Sequence, residues 1–237
     1  MKPSRLLPRL LALCLLAAAL PAEAWRLPDE AAARLAAGVP PPPDDASPAG
    51  LADLQTVLQV QAARTPEQAA AAASHAVRLP LDLVAPLFGT DLRDKLPRAA
   101  AFFSEVHKTG DRVVDRVKDT YRRPRPWQRS DDVQPCVYIP RGFSYPSGHS
   151  LNAALWAALW SEILPEYAAF FSAGIPSAMW NRVVGGAHYP SDTQAGALLG
   201  GQIAVEILKT PGVRDELAAI RAELDAVLAG QPAAVAA

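Results

Sequence analysis

Cysteine, histidine and long hydrophobic runs are scarce in this sequence, and each shortage excludes a class of protein. The 237 residues include only 2 cysteines and 4 histidines. No HExxH or Cys–His spacing occurs, so we expect no metal site and no cofactor. Glycine-rich nucleotide loops and the GxSxG elbow of serine hydrolases are also missing. No run of 18 uncharged apolar residues follows the N-terminus, so we expect no integral membrane segment in the mature chain.

Aromatic and β-branched residues are few, whereas alanine is abundant. Aromatic residues make up 7% of the chain, and this balance favours helices over sheets. Half of the residues are hydrophobic and 20% are charged, which provides enough apolar material for a core and excludes a disordered chain. We therefore predict an all-α protein with a single compact helical domain. Its 23 prolines would stiffen the connections between helices.

The first 24 residues have the features of a cleavable signal peptide. A basic start precedes an apolar run at residues 10–20 and the small-x-small sequence Ala22-Glu23-Ala24. The apolar run is shorter than the roughly 20 residues of a membrane span. A lipoprotein anchor at Cys14 is the alternative, but Leu13 is larger than the residue usual before such a cysteine. We expect cleavage after Ala24 and a periplasmic or secreted protein.

Cleavage would leave an acidic chain with one cysteine. Three of the 23 basic residues and one of the 24 acidic residues are removed, so 20 basic and 23 acidic residues give a net charge of −3. Cys136 then has no partner for an internal disulfide, and is either buried and inert or available for an intermolecular bridge. We expect no nucleic-acid partner for an acidic exported protein. A homo-oligomer is compatible with the sequence.

The mature chain divides into a lead-in and a helical domain. Residues 25–48, which include the tract from Pro40 to Pro43, predict an extended, proline-rich lead-in. Residues 49–237 predict the helical domain. Apolar periodicity and proline stops place its helices. The predicted helices are 49–76 with a restart at Thr65-Pro66, 96–121, 150–164, 166–182, 192–209 and 213–228.

The first of three unusual segments is basic and ends the predicted helix 96–121. It reads Lys118-Asp-Thr-Tyr-Arg-Arg-Pro-Arg125-Pro126. Lys118 lies near the helix end, and prolines on both sides restrict Arg125. An ammonium and a guanidinium group held in this way can bind phosphate oxygens. A solvated basic turn at a helix C-terminus is the alternative.

The second segment, Pro146-Ser147-Gly148-His149, precedes the predicted helix 150–164. Backbone N–H groups at a helix N-terminus bind anions, and glycine lets the backbone approach a ligand closely. His149 would lie at the rim of such a site, where it could donate a proton to a leaving oxygen. An ordinary helix start with a surface histidine is the alternative.

The third segment runs from Arg182 to Asp192 and includes Gly185, Gly186 and His188. Ser191 and Gln194 predict a capping box that starts a helix, with His188 in the turn before it. Asp192 can accept the Nδ1–H of His188 and so fix the tautomer that leaves Nε2 as an acceptor or nucleophile. A histidine paired with a carboxylate for structural reasons is the alternative.

The three segments in this order resemble the signature of the phosphatidic acid phosphatase type 2 superfamily. The spacings Lys-x6-Arg-Pro, Pro-Ser-Gly-His and Arg-x5-His-x3-Asp match it residue by residue. Residues 143–149, the polyproline tract and the signal peptide are similar to those of bacterial class A non-specific acid phosphatases. One departure is Asn181, where the family usually has serine before the arginine. This resemblance implies an all-helical fold.

The resemblance also implies a metal-independent acid phosphatase that hydrolyses small phosphate monoesters with broad specificity through a phosphohistidine. His188 would be the nucleophile, Asp192 would orient it, and His149 would protonate the leaving group. The groups that would hold the phosphoryl oxygens are Lys118, Arg125, Arg182 and the amides of Ser147 and Gly148.

Three other functions fit part of the same pattern. A vanadium-dependent haloperoxidase has a similar oxyanion pocket and would oxidise halide with peroxide and vanadate. A lipid phosphatase would act on lipid phosphates. A catalytically silent phosphate-binding module would bind the anion without turnover, although intact Lys118, His149, His188 and Asp192 argue against it.

Overall fold

The computed structural model describes residues 25–75, 79–89, 92–138 and 141–230. Within these ranges all regular elements are helical, which confirms the predicted all-α class. The predicted signal peptide lies outside the described residues. No helix in the described ranges has the length and apolarity to cross a membrane. The α-helices are α1 (Asp29–Ala37), α2 (Pro48–Ala63), α3 (Pro66–His75), α4 (Ala85–Phe88), α5 (Pro97–Tyr121), α6 (Pro126–Arg129), α7 (Gly148–Ile163), α8 (Ala168–Val184), α9 (Pro190–Leu208) and α10 (Val213–Ala229).

Helix α5 places the basic segment, and its sequence explains its bounds. Pro97 occupies the first helical position, where the missing N–H is not needed. A buried stripe that includes Phe102, Phe103 and Val106 faces the core. The helix ends where Arg122 adopts a left-handed backbone conformation with φ of 48°, and Pro124 prevents its continuation. Lys118 therefore lies in the last turn.

Helix α7 is the central helix of the fold, and α9 packs closely against it. Most α7 residues are buried, including Leu155 and Trp160. A Cβ atom at Gly196 would lie 2.2 Å from the Ser147 carbonyl oxygen, and one at Gly200 would lie 2.2 Å from that of Leu151. These glycines allow the two backbones to touch, which brings the N-termini of both helices together.

The predicted extended lead-in is wrong for residues 29–37, which form α1. This segment is rich in alanine, and Asp29 and Glu30 lie in its first turn, where carboxylates stabilise a helix. Trp25 and Leu27 before it are buried in the main core. The prediction applied the proline tract to the whole segment, although prolines restrict only the residues next to them. Residues 29–37 are therefore free to form a helix, which is part of the helical domain.

The glycines at the α7–α9 contact predict opposite effects for two adjacent substitutions. Gly200→Ala should lower the free energy of unfolding by about 2 kcal/mol or more, because overpacking costs about 1–3 kcal/mol and here the clash is with backbone. Gly201→Ala is the matched control, since nothing lies within 4 Å of its Cβ position. It should raise stability by up to about 1 kcal/mol through helix propensity. Denaturant unfolding measures both, and equal effects would contradict the close contact.

Candidate active site

The three unusual segments meet at one cavity of about 980 Å³. The basic segment reaches it from the end of α5, the second segment from the start of α7, and the third from the turn between α8 and α9. The sequence-predicted residues that line it are Lys118, Arg125, Gly148, His149, Arg182 and His188. Residues far apart in the chain thus line one cavity.

Arg125 and Arg182, two cations of this cavity, form no ion pair with a carboxylate among the described residues. Arg125 and Arg182 are each 1% exposed, and no guanidinium nitrogen of Arg182 has a hydrogen-bond partner among the described residues. Burial lowers the pKa of Arg182 to about 10, and burial with the nearby Arg182 charge lowers that of Arg125 to about 10. Burial and Arg125 also lower the pKa of Lys118. Such a cluster is suited to an anion.

Arg125 is held in a fixed position against His188. Its Nε donates to the Gly142 carbonyl oxygen at 2.9 Å, and its Nη1 donates to that of Ala187 at 3.0 Å. The same Nη1 lies 3.2 Å from Nε2 of His188. The Arg125 amide donates to the Gln128 side chain at 2.8 Å. Main chain and side chain are therefore both anchored.

The surroundings of His188 favour its neutral form and one of its two tautomers. Burial, followed by the charges of Arg125 and Arg182, holds the pKa of His188 well below 6.5. A guanidinium group has only donors, so Nε2 facing Arg125 must be the acceptor and Nδ1 must carry the proton. Nδ1 lies 3.4 Å from Oδ2 of Asp192 and 3.5 Å from Oγ of Ser144.

Asp192 is completely buried and accepts several hydrogen bonds. Oδ1 accepts from Nη1 of Arg123 at 2.7 Å, while Oδ2 accepts from Oγ of Ser144 at 2.5 Å and from the Tyr189 amide at 3.0 Å. Burial raises the pKa of Asp192, and Arg123 and Ser144 oppose that rise. The contact to His188 is the longest of the set.

The predicted Ser191–Gln194 capping box is wrong. Helix α9 begins at Pro190, and Asp192 accepts the Tyr189 amide in its first turn. Ser191 lies inside the helix, where its hydroxyl donates to Asp53 of α2. The carboxylate one residue further on is in the right position to cap the start, because Pro190 already occupies the first helical position.

The Ser147 amide does not reach the cavity, contrary to its predicted role. It donates to the Asp192 carbonyl oxygen at 2.9 Å, because the close α7–α9 contact brings these two backbones together. The Ser147 hydroxyl caps α7 by accepting the Ser150 amide. Gly148 and the half-buried His149 line the cavity, so the α7 N-terminus contributes through these two residues.

Sequence reasoning missed three buried polar residues of the site: Arg123, Ser144 and Asp53. Arg123 belongs to the basic segment, but no local feature distinguishes it there from its solvated neighbours. Ser144 precedes the second segment closely and gave no signal of its own. Asp53 shares a helix face with the buried Gly50 and Val57, and a carboxylate on an apolar face is the signal that could have identified it.

The cavity extends well beyond the cations. Its further walls are mostly apolar and include Phe103, Trp156, Phe171 and Ile175, with a few polar residues such as His107 and Asp111. A free phosphate would occupy only the cationic end. Among the described residues, no group of three or more His, Cys, Asp or Glu side chains could hold a metal ion, and metal independence stays a prediction.

Comparison with known proteins matches residues 100–215 to the PAP2 superfamily. A lipid A 1-phosphatase of Rhizobium etli is 43% identical over 61 residues, covering 24% of this chain and 25% of that protein. An acid phosphatase of Zymomonas mobilis is 32% identical over 117 residues, covering 46% of this chain and 44% of that protein. A bacterial vanadium-dependent iodoperoxidase structure has a TM-score of 0.53 at 17% identity, covering 76% of this chain and 54% of that one.

These matches confirm the superfamily resemblance that the three segments predicted, and the structural likeness confirms the all-helical fold. This chain spans a quarter of the length of the first relative and 44% of the second. What those proteins act on therefore enters for this chain only as a proposal.

Arg182, whose guanidinium has no hydrogen-bond partner in the part of the chain that the structure describes, predicts a trade-off between stability and anion binding. Arg182→Met should raise the thermal midpoint of the unliganded protein, because a buried charge without a partner is removed. Inorganic phosphate at 100 times its dissociation constant should stabilise the parent protein by about 2.7 kcal/mol, and the variant should lose most of this gain. Thermal unfolding with and without phosphate measures both effects.

Arg214→Met is the control for this measurement, because the Arg214 side chain is 73% exposed. It should keep the full phosphate effect. An undiminished phosphate effect in Arg182→Met would show that the anion binds elsewhere.

Proposed function

We propose that this chain, whose residues 100–215 carry a PAP2 superfamily domain, is a metal-independent acid phosphatase that hydrolyses phosphate monoesters through a phosphohistidine at His188. One observation carries the proposal. Nε2 of His188 lies 3.2 Å from Nη1 of Arg125, in a cavity that also contains the Arg182 guanidinium, which has no hydrogen-bond partner among the described residues. The proposed nucleophile therefore lies next to the proposed anion site.

Substrate binding follows from the cations. The phosphoryl oxygens would accept hydrogen bonds from Arg182, Lys118 and Arg125. Their negative charge would offset the positive charge of these buried groups. The phosphorus atom would then lie beside Nε2 of His188. Because Arg125 is anchored before the substrate arrives, it would stabilise the charge of the transferring phosphoryl group with little reorganisation.

The first chemical step transfers the phosphoryl group to His188. The Nε2 lone pair forms the P–N bond while the P–O bond to the alcohol breaks, and His149 donates its proton to the leaving oxygen. The imidazole ring becomes cationic because Nδ1 keeps its proton. Asp192, next to Nδ1, would stabilise that charge.

The second step hydrolyses the phosphohistidine. His149, now neutral, accepts a proton from a water molecule whose oxygen attacks phosphorus. The P–N bond breaks, its electron pair returns to Nε2, and phosphate leaves. One histidine thus serves as the acid in the first step and as the base in the second.

The low pKa of His188 is consistent with activity in acid. An ordinary histidine loses its lone pair to a proton below pH of about 6.5. His188 has a lower pKa in the folded protein, so it stays unprotonated as pH falls and is lost as a nucleophile only when pH passes that lower value.

We further propose that residues 1–24 direct export to the periplasm or beyond.

A second candidate function is hydrolysis of lipid phosphates. The observation that favours it is the apolar extension of the cavity, with Phe103, Trp156 and Phe171 on its walls. An alkyl chain could lie there while its phosphate occupies the cationic end. One relative is a lipid A 1-phosphatase, which agrees with this alternative.

The two proposed histidine roles predict different sensitivities to the leaving group. His149→Ala should lose about 10²–10⁴-fold in kcat/KM on an alkyl phosphate, because a poor leaving group needs a proton. The same variant should keep far more activity on an activated aryl phosphate. His188→Ala should be inactive on both, since no leaving group replaces a nucleophile.

The assays contain a chelator, and activity that requires an added divalent ion would contradict the metal-free mechanism.

His107→Ala is the matched control for these variants. His107 also lines the cavity, but its side chain is 46% exposed and pairs with Asp111. It should retain parental activity on both esters. If His149→Ala is impaired equally on both esters, His149 is not the general acid.

Chain length distinguishes the two candidate substrates. For alkyl phosphates below their micelle concentration, binding in the apolar extension should raise kcat/KM by up to about fourfold per methylene, since each buried methylene contributes about 0.8 kcal/mol. Ile175→Asn should flatten this dependence and leave small aryl esters unaffected. A parent enzyme without chain-length dependence would be a phosphatase of small monoesters only.

A further inference from the structure

A buried ionic cluster connects helix α2 to the candidate active site. Asp53 of α2 is 7% exposed and lies outside the matched residues 100–215. Its Oδ2 accepts from Nη2 of Arg123 at 2.9 Å, and its Oδ1 accepts from the Ser191 amide at 3.2 Å. The Ser191 hydroxyl also donates to it. Asp53 thus contacts the first turn of α9 directly and through Arg123.

Arg123 is the centre of this cluster. Its Nη1 donates to Oδ1 of Asp192 at 2.7 Å and to Oγ of Ser191 at 2.8 Å. Its guanidinium group stacks on the Tyr189 ring, with 4.1 Å between Cζ and the ring centroid. The Arg123 carbonyl oxygen accepts the Ser144 amide at 2.9 Å. Arg123 therefore fixes both residues that contact Nδ1 of His188.

We infer that Asp53 is a positioning residue for the proposed reaction: by holding Arg123 and Ser191, it sets the place of Asp192 against His188. The inference rests on the proposed function. Asp192 is shared among several donors, and its 3.4 Å contact with Nδ1 is the longest. A small displacement of the carboxylate would therefore weaken this contact first, while the phosphate-binding cations stay in place.

A merely structural role for Asp53 predicts something different. Apolar side chains could join α2 to α9 at least as strongly, since a buried ionic cluster contributes little net stability. The role that we infer for the cluster is to hold the Asp192 carboxylate in a fixed position. A structural role would lower stability and leave turnover per folded molecule unchanged, whereas a positioning role lowers kcat in the folded enzyme.

The closing experiment compares Asp53→Asn with Asp45→Asn in the full chain. Asp45 also approaches Arg123, at 3.5 Å, but its side chain is 34% exposed. Asp53→Asn should lower kcat by up to about 100-fold, because small misplacement of a catalytic group has effects of this size. KM should not change, since Lys118, Arg125 and Arg182 are untouched. Asp45→Asn should resemble the parent. Circular dichroism verifies folding.

The pH profile provides a second readout through Arg123. The charged and titratable groups around Asp192 are Arg123, Arg125, Lys118, His188 and Tyr145. Arg123 opposes the rise in the Asp192 pKa that burial causes. Arg123→Met should raise that pKa, so Asp192 is protonated at higher pH and the acidic limb of kcat moves up. Arg123→Lys keeps the charge, so it should lower kcat without moving the limb.

The outcomes separate the inference from the proposed function. A parent chain that does not hydrolyse aryl phosphates overturns the proposed function and this inference with it. An active parent with unchanged kcat in Asp53→Asn overturns the inference alone. If Asp53→Asn does not fold, Ser191→Ala removes one link of the same cluster, and unchanged kcat there overturns the inference equally.

Discussion

A cluster of buried positive charge lies at one end of the cavity, and the arrangement of the site follows from it. Arg125 and Arg182 are buried and form no ion pair with a carboxylate among the described residues, and Lys118 adds a third cation. In isolation this arrangement costs free energy, and the surrounding fold must hold it in place. Burial lowers the pKa of His188, and the same charges lower it further, so the cations contribute both to anion binding and to keeping the proposed nucleophile unprotonated.

Asp192 and Asp53 do not line the cavity, and both pair with Arg123, which does not line it either. Separate arginines therefore have separate surroundings: Arg123 pairs with these two carboxylates, whereas the Arg182 guanidinium has no hydrogen-bond partner among the described residues. A phosphate could therefore bind Arg125 and Arg182 without displacing a carboxylate of the protein.

Close packing of α7 on α9 gives this arrangement its precision. Gly196 and Gly200 allow backbone contact, and the Ser147 amide bonds to the Asp192 carbonyl oxygen as a result. Two helix N-termini, one with His149 and one with Asp192, are thereby fixed relative to each other. The geometry of the two proposed histidine roles depends on this contact between helices more than on either segment alone.

Apolar periodicity, proline stops and residue chemistry are local properties, so the helical class, most helix bounds and the candidate residues of the cationic end could be predicted from the sequence. The neighbours of those residues follow from the tertiary structure alone. It assigned the Ser147 amide to Asp192, placed α1 in the core, and brought Asp53 to Arg123 across 70 residues. Such pairings depend on how helices pack, and a carboxylate or amide gives no local signal of the distant group that will satisfy it.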